Sequence, residues 1–441
     1  MTAIEMDCSN VGKYMYQLLK ELFPICRSIT GEGVRETLKI IQKHIPIKTY
    51  EIPSGTKVLD WEVPKEWNIK DAYIMDEEGN KVVDFKKNNL HIVGYSTPVD
   101  KILKLEDLQS HLYSIEEQPE VIPYVTSYYM ERWGFCLSHN QRKNLKDGSY
   151  RVYIDSSLKD GYLNYAELII PGRTNKEIFF STYICHPSMA NNELSGPVLL
   201  TYLAKWIMSK PREYTYRLVF VPETIGSITY LSQNYKEMKE NIIAGYNLTC
   251  VGDDRAYSFM PSRYGNTYAD RVALNVLWHS QPDFIKYSYL ERGSDERQYC
   301  SPGMDLPVAS IMRSKYGEYP EYHTSLDNLE LVSSEGLQGS FDVYKECIEL
   351  IERNKKYKIK CLGEPQLGKR GLYPTLSTKD SGRLVRDMMN FIAYADGKND
   401  LIDISNITGV PVKNLYPIVE KLESSGLLAV EVAEVMQYTE C

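Results

Sequence analysis

The chain has 441 residues, 43% of them apolar and 25% charged, with a formal net charge of -8. That length is too great for one compact core, so two or three domains are expected, and the negative charge argues against a whole-protein role on nucleic acid. Nine cysteines without a CxxC pair indicate neither a zinc ribbon nor a disulfide framework; they point to reduced thiols in a cytoplasm.

From the N-terminus, "VGKYMYQLLKELF" and "GVRETLKIIQKHI" carry apolar residues at helical spacing within residues 10–45, joined by the polar link "CRSITGEG". No basic-then-apolar leader precedes them and no apolar run reaches the length of a membrane span, so a cytoplasmic chain without membrane contact is expected. From about residue 49 to 150 short β-like runs such as "KTYEIP", "AYIMDEEGNKVVDF" and "LHIVGY" are broken by turn signals, among them Glu78-Gly79-Asn80. These predict an inserted β-rich small domain over 51–149.

Next come three strand candidates, "YRVYIDSSL", "GYLNYAELIIPG" and "EIFFSTYICHP", and then the apolar helix "GPVLLTYLAKWIMS". The alternation continues through "YRLVFVPET", "SITYLSQNYKEM", "IIAGYNLTCV" and "DRVALNVLWHS". Such alternation predicts an α/β domain, discontinuous over 1–50 and 150–370, whose mostly parallel sheet has helices on both faces. Ligands of such sheets gather beyond the strands' carboxyl ends. After a Gly- and Pro-containing connector, residues 375–441 read as three helices and a short strand, the layout of a winged helix-turn-helix. Its second-to-last element, "PVKNLYPIVEKLESSGLL", offers Lys413 and Lys421 between apolar positions, sparse for groove binding. A protein partner or a dimer contact is therefore favoured over DNA. The ratio of 35 tyrosines to 10 phenylalanines fits half-buried rings with wet hydroxyls.

Strand or loop ends present His186, Glu223, Asp253 with Asp254, and His323 in that order. Each has a plain structural alternative: a histidine bonded to a carbonyl, a carboxylate paired with an arginine, an aspartate capping the next element. Together, on the ends of one parallel sheet, they supply the imidazole and carboxylate types that zinc takes from separate loops. Such an ion acidifies a water, and a nearby Glu can remove its proton as a carbonyl is attacked.

The stretch "NYAELIIPGRTNKEIFFSTYICHPSMANNELSGPVLLTYLAKWI", with "FVPETIGS", "GSDERQYCSPGMDLPVASI" and "EYHTSLDNLELV", resembles the core of zinc aminopeptidases with two co-catalytic metals. The whole chain is similar to a bacterial aminopeptidase-like family that carries an inserted domain and a terminal winged helix; "CRSITGEG", "RWGFCLSH" and "TCVGDD" support this closer match. The resemblance implies that His186 and His323 are the terminal imidazole ligands. Glu223 matches one of two adjacent glutamates, with Thr224 in the next place, and serves as base or ligand. The aspartate ligand aligns with Thr249, so Asp253 is the substitute and Asp254 the second choice. Asn192 falls at the bridging aspartate and Glu193 beside it. An amide offers one good acceptor oxygen and no charge to hold two cations together, so one zinc ion per chain is expected, held among His186, Glu223, Asp253, His323 and Asn192.

Asp295 and Arg297 in "GSDERQY" are candidates for a substrate amine and carboxylate, or else form a structural ion pair. Trp133, Cys136 and His139 close the inserted segment and are expected to border the site. The expected function is a zinc-dependent aminopeptidase or amidohydrolase acting on a small peptide or an amide-bearing metabolite, with Glu223 as candidate base. The rival is a non-catalytic protein that binds a ligand in the crevice and reports it through the winged helix.

Overall fold

Residues 8–373 and 379–431 are described by the computed structural model. They fall into two units, residues 8–265 with 285–342, and residues 266–284 with 343–373 and 379–431. No helix among the described residues is long and apolar enough to cross a membrane.

The first unit is built on an eight-stranded mixed sheet. Its strands are β1 (Lys48–Pro53), β2 (Tyr162–Ile170), β3 (Glu177–Tyr183), β4 (Thr215–Val221), β5 (Ile242–Leu248), β6 (Ser258–Met260), β7 (Ile285–Lys286) and β8 (Val308–Met312). Their order across the sheet is β1-β2-β4-β3-β5-β8-β6-β7. The four central strands, β4, β3, β5 and β8, run parallel, while β2 on one side and β6 on the other join them antiparallel, and β1 pairs antiparallel with β2. "EIFFSTY" and "IIAGYNL" are buried along their whole length, as strands covered on both faces must be. The expected α/β class is present, with antiparallel margins that strand–helix alternation alone cannot reveal.

Helix α1 (Val11–Leu22) buries the stripe Val11, Met15, Leu18, Leu19 and Leu22, and α2 (Glu32–Gln42) buries Val34, Leu38 and Ile41. Between β3 and β4 a π-helical turn, Ala190–Leu194, leads into α3 (Ser195–Met208). Pro197 sits in the first turn of α3, where its missing N–H costs nothing. Gly196 lets the helix meet the sheet: a Cβ there would lie 2.3 Å from Thr182 Oγ1 and 2.4 Å from the Leu248 carbonyl. Helix α4 (Ile225–Asn241) follows β4.

The inserted segment forms a four-stranded antiparallel sheet, ordered Lys81–Asp84, Glu66–Met75, Ser149–Lys159, Val99–Lys104. The expected boundary at 149/150 therefore falls at the start of a strand that belongs to the insertion. Trp67 stacks on Tyr95 with ring centroids 5.8 Å apart and donates its indole N–H to the Ser96 carbonyl at 2.9 Å. Glu66 ties this sheet to α2 through a two-pronged pair with Arg35, at 2.7 and 3.1 Å, and accepts from the Tyr162 N–H and Asn68. Burial alone would raise the Glu66 carboxyl, but these donors pull it down to about 2 from an ordinary value of 4.5. A depressed folded-state pKa means that the pair contributes fully above pH 4.5 and is lost as pH falls towards 2. Glu66→Gln is expected to cost about 2 kcal/mol at neutral pH. It should also flatten the fall in urea stability between pH 5 and 3 that the natural chain shows; equal slopes would remove this role.

In the second unit, Lys356–Ile359 is the middle strand of a three-stranded antiparallel sheet, between Asp396–Asp400 and Leu428–Glu431. Helices Lys379–Tyr394, Leu401–Thr408 and Val412–Ser424 accompany it, together with Tyr268–Ser280. Asp400 caps Leu401–Thr408 reciprocally with Asp403, and Gly409 ends that helix at φ 68°. Its first strand begins at Lys356, ahead of the expected start at residue 375; positions 374–378 and 432–441 of the connector and module lie outside the described residues.

Candidate metal centre

The parallel strands deliver polar side chains to one end of the sheet. His186 follows β3, Glu223 follows β4, and His323 comes from the loop after β8. The two imidazole centroids are 5.4 Å apart. His186 Nε2 lies 3.7 Å from Glu223 Oε2. Two imidazoles and a carboxylate around one tetrahedral zinc, with bonds near 2.0–2.2 Å, would place the rings about 5 Å apart and the ligand atoms about 3.4 Å apart. The His186 and His323 rings are neighbours and Glu223 meets His186, although the three do not each present a ligand atom within 4.8 Å of the other two.

Unmet hydrogen-bonding capacity marks the same place. His323 Nε2 and Asn192 Oδ1 are buried without a partner. Burial lowers His186 to about 3, with Arg27 adding to it, and lowers His323 to about 3, with His186 adding to it. Both imidazoles are therefore neutral at ordinary pH, the form that binds metal. Burial, then the neighbouring Asp295, push Glu223 well above the usual carboxylate range.

The loops are held in strained backbone. Ser188, Thr224, Cys250 and His323 have φ of 43°, 62°, 53° and 54°. For the β-branched Thr224 this is a costly conformation. Asp295 secures it, accepting from the Thr224 N–H at 2.7 Å and the Ser227 hydroxyl at 2.9 Å. Asp295 is fully buried, pushed up to about 7 by that burial, and its second oxygen has no partner. The sequence suggested Asp295 as a receptor for a substrate amine; its place beneath the Glu223–Thr224 turn makes it a support of that turn instead. Arg297 is exposed and donates to Thr224 Oγ1 at 3.0 Å and the Ser294 carbonyl, leaving it at the rim.

Asp253 is not brought to the imidazoles as a free carboxylate. Its oxygens accept from Asn191 Nδ2, the Ser314 N–H and hydroxyl, and the Arg255 N–H, all at 2.9–3.0 Å. Four donors consume its capacity, so it braces two strand-end loops. Asp254 is exposed, 3.4 Å from the Ser333 hydroxyl.

Asn192 donates to the Tyr183 hydroxyl at 2.8 Å, and that hydroxyl meets Thr249 Oγ1 at 2.6 Å. Thr249 in turn donates to the Asn192 carbonyl. Where the resemblance implies two carboxylates, this chain has a neutral hydrogen-bonded ring, so nothing there offsets the repulsion of a second dication.

Several contributors escaped the sequence reading. Asp327, fully buried, accepts from the Asn191 and Asn192 N–H groups at 2.6 and 2.9 Å and from the Tyr319 hydroxyl, fixing the turn that carries Asn192. Burial raises it to about 6 against those bonds. Arg27 of "CRSITGEG" donates from Nε to the His186 carbonyl at 3.0 Å and lies 3.8 Å from Glu193 Oε1. Glu193 Oε2 is 2.9 Å from His186 Nδ1. Burial pushes Glu193 up to about 8 while Arg27 holds it back.

The insertion reaches the site through residues 121–128. The Tyr124 N–H donates to the His323 carbonyl at 2.8 Å, and the Tyr124 ring lies 5.1 Å from both imidazole centroids. Its hydroxyl meets that of Tyr128 at 2.8 Å. Trp133, Cys136 and His139, expected at this border, do other work. Trp133 stacks on His111, the Cys136 carbonyl bonds His91, and His139 meets Ser114.

Among the described residues, Cys185, His186 and Glu193 present three ligand-type atoms within 4.8 Å of one another. An ion does not fit between them. The Nδ1–Oε2 contact is already a hydrogen bond, burial raises the Cys185 thiol well above its ordinary value, and a guanidinium stands beside the carboxylate. The Nε2 side of His186, which faces Glu223, is the one suited to a cation.

A family model described as a domain of unknown function (DUF4910) matches residues 16–354, and a winged helix-turn-helix model matches residues 355–430. A Clostridium acetobutylicum protein, provisionally named as a polysaccharide biosynthesis protein with an aminopeptidase-like domain, is 46% identical over 426 residues, spanning 96% of this chain and 97% of its own. A crystal structure of a provisionally assigned peptidase from the same species superposes with a TM-score of 0.91 at 46% identity, covering 96% of this chain and 98% of that one. A zinc aminopeptidase from Bacillus subtilis superposes with a TM-score of 0.58 at 12% identity, over 78% of this chain and 96% of that one. At that identity the likeness shows a shared fold.

Proposed function

Because the chain belongs to the DUF4910 family and carries a winged helix-turn-helix, on an aminopeptidase-like fold, we propose that its first unit is a zinc-dependent hydrolase of a small peptide or amide-bearing metabolite. The observation that carries this reading is the meeting of His186, His323 and Glu223, with unpartnered His323 Nε2 and Asn192 Oδ1 beside them. His186, His323 and Asn192 would hold one ion. When bound, zinc supplies Lewis-acid polarisation of a carbonyl and lowers the pKa of a water.

The chain's own residues supply the rest. Glu223, 23% exposed at the side chain, accepts a proton from the attacking water and returns it to the leaving nitrogen. Asp295 holds Glu223 in place through the strained Thr224. Arg297 at the rim offers a guanidinium to a substrate carboxylate. Tyr124, its hydroxyl bonded to that of Tyr128, packs against both imidazoles and limits the site to small substrates. The cysteines among the described residues are free, which fits a cytoplasmic protein.

Hydrolysis of a panel of aminoacyl amides, with and without added zinc, tests the proposal. Zinc-dependent turnover supports it. The winged helix favours a second reading, in which the crevice senses a ligand and the second unit reports it to a protein partner. A chain that binds panel members and never turns them over would favour that reading.

A further inference from the structure

A histidine binds a cation through one nitrogen only when the other carries the proton, so whatever faces that second nitrogen decides whether the residue is a ligand. For His186 the nitrogen facing Glu223 is Nε2; the other is Nδ1, 2.9 Å from Glu193 Oε2. Both side chains are buried, with no water-exposed surface to accept a proton instead. Glu193 stands beside a cation. Its other oxygen lies 3.8 Å from Arg27 Nε, and Arg27 is anchored by the His186 and Leu22 carbonyls at 3.0 and 2.8 Å.

We propose that Glu193 is the positioning residue that makes His186 a metal ligand, by accepting the Nδ1 proton, with the Arg27 guanidinium 3.8 Å from its other oxygen favouring the charged carboxylate. The inference rests on the zinc reading above and adds to it. In this chain the carboxylate at 193 stands beside a neutral Asn192, so the acid acts from behind the imidazole, where its charge reaches a cation only through the ring.

The replacement Glu193→Gln discriminates sharply. Gln has the same shape, but Arg27 attracts its carbonyl oxygen, which turns the amide NH2 towards His186 Nδ1. An imidazole accepting there keeps its own proton on Nε2, the wrong nitrogen for a ligand. The same logic accounts for the loss seen when an orienting aspartate becomes asparagine in serine proteases.

The test is a chelator-competition titration with zinc on the full chain, beside thermal melting of the metal-free chain. A third measurement is 15N NMR of the zinc-loaded, histidine-labelled protein. Glu193→Gln is expected to weaken zinc about 10–100-fold. Its metal-free melting temperature should stay close to that of the natural chain, and the signal of a protonated His186 Nδ1 should vanish. Natural chain and variant binding zinc equally tightly, or a melt that falls while affinity holds, overturns the role of Glu193 and leaves the zinc reading standing. A natural chain that binds no zinc overturns both.

Discussion

Glu223→Gln is expected to lower kcat/KM on any aminoacyl amide that the chain cleaves by about 10²–10⁴-fold, the usual contribution of a positioned general base. Zinc affinity should hold within a few-fold of the natural chain. Glu223 is the one carboxylate within reach of the imidazoles that is both partly exposed and free of a charged hydrogen-bonding partner among the described residues. Gln keeps the volume and removes the proton acceptor, so chemistry stops while the fold stays. Joint measurement of turnover and metal separates the two roles open to this residue. A variant that loses turnover and zinc together would make Glu223 a ligand rather than the base.

His323→Ala has the second large effect. Its imidazole offers a buried, unpartnered Nε2, and stacking on Tyr322 at 3.9 Å holds the ring in place. Removing it should weaken zinc well beyond the about 10–100-fold that loss of an outer partner costs. His186→Ala should do the same. His323 sits at φ 54°, where alanine is strained, so His323→Asn is the better control: asparagine tolerates that backbone. If either His323 variant keeps full zinc occupancy, the ion is elsewhere or absent.

How much of this was legible in the sequence differs by kind of residue. His186 and Glu223 could be found because each follows a largely apolar, buried strand. His323 stood out because Tyr-His-Thr precedes a polar turn. Asp253 carried the same signal and misled: Asn191 and Ser314, distant in sequence, take up its oxygens. Arg27 and Glu193 lie within legible motifs, yet their meeting spans 166 positions and leaves no local trace. Tyr124 was hidden among 35 tyrosines, and only the bridge from its segment to the His323 loop gives it a place.

The fold shows the same division. Alternating apolar strands and helices revealed the parallel centre, because burial on both faces leaves continuous apolar runs. The antiparallel margins and the strand order depend on pairings that no single strand encodes. Asp396–Asp400 was missed because "DGKND" lacks the apolar alternation by which a strand is read, and Lys356–Ile359 because "KYKI" alternates over only four residues.

Anomalous scattering at the zinc edge from crystals of the full chain grown with zinc tests the central claim most directly. One ion per chain, bonded to His186 Nε2 and His323 Nε2, is the expected result. Two ions bridged at Asn192, or none within reach of both imidazoles, would contradict it.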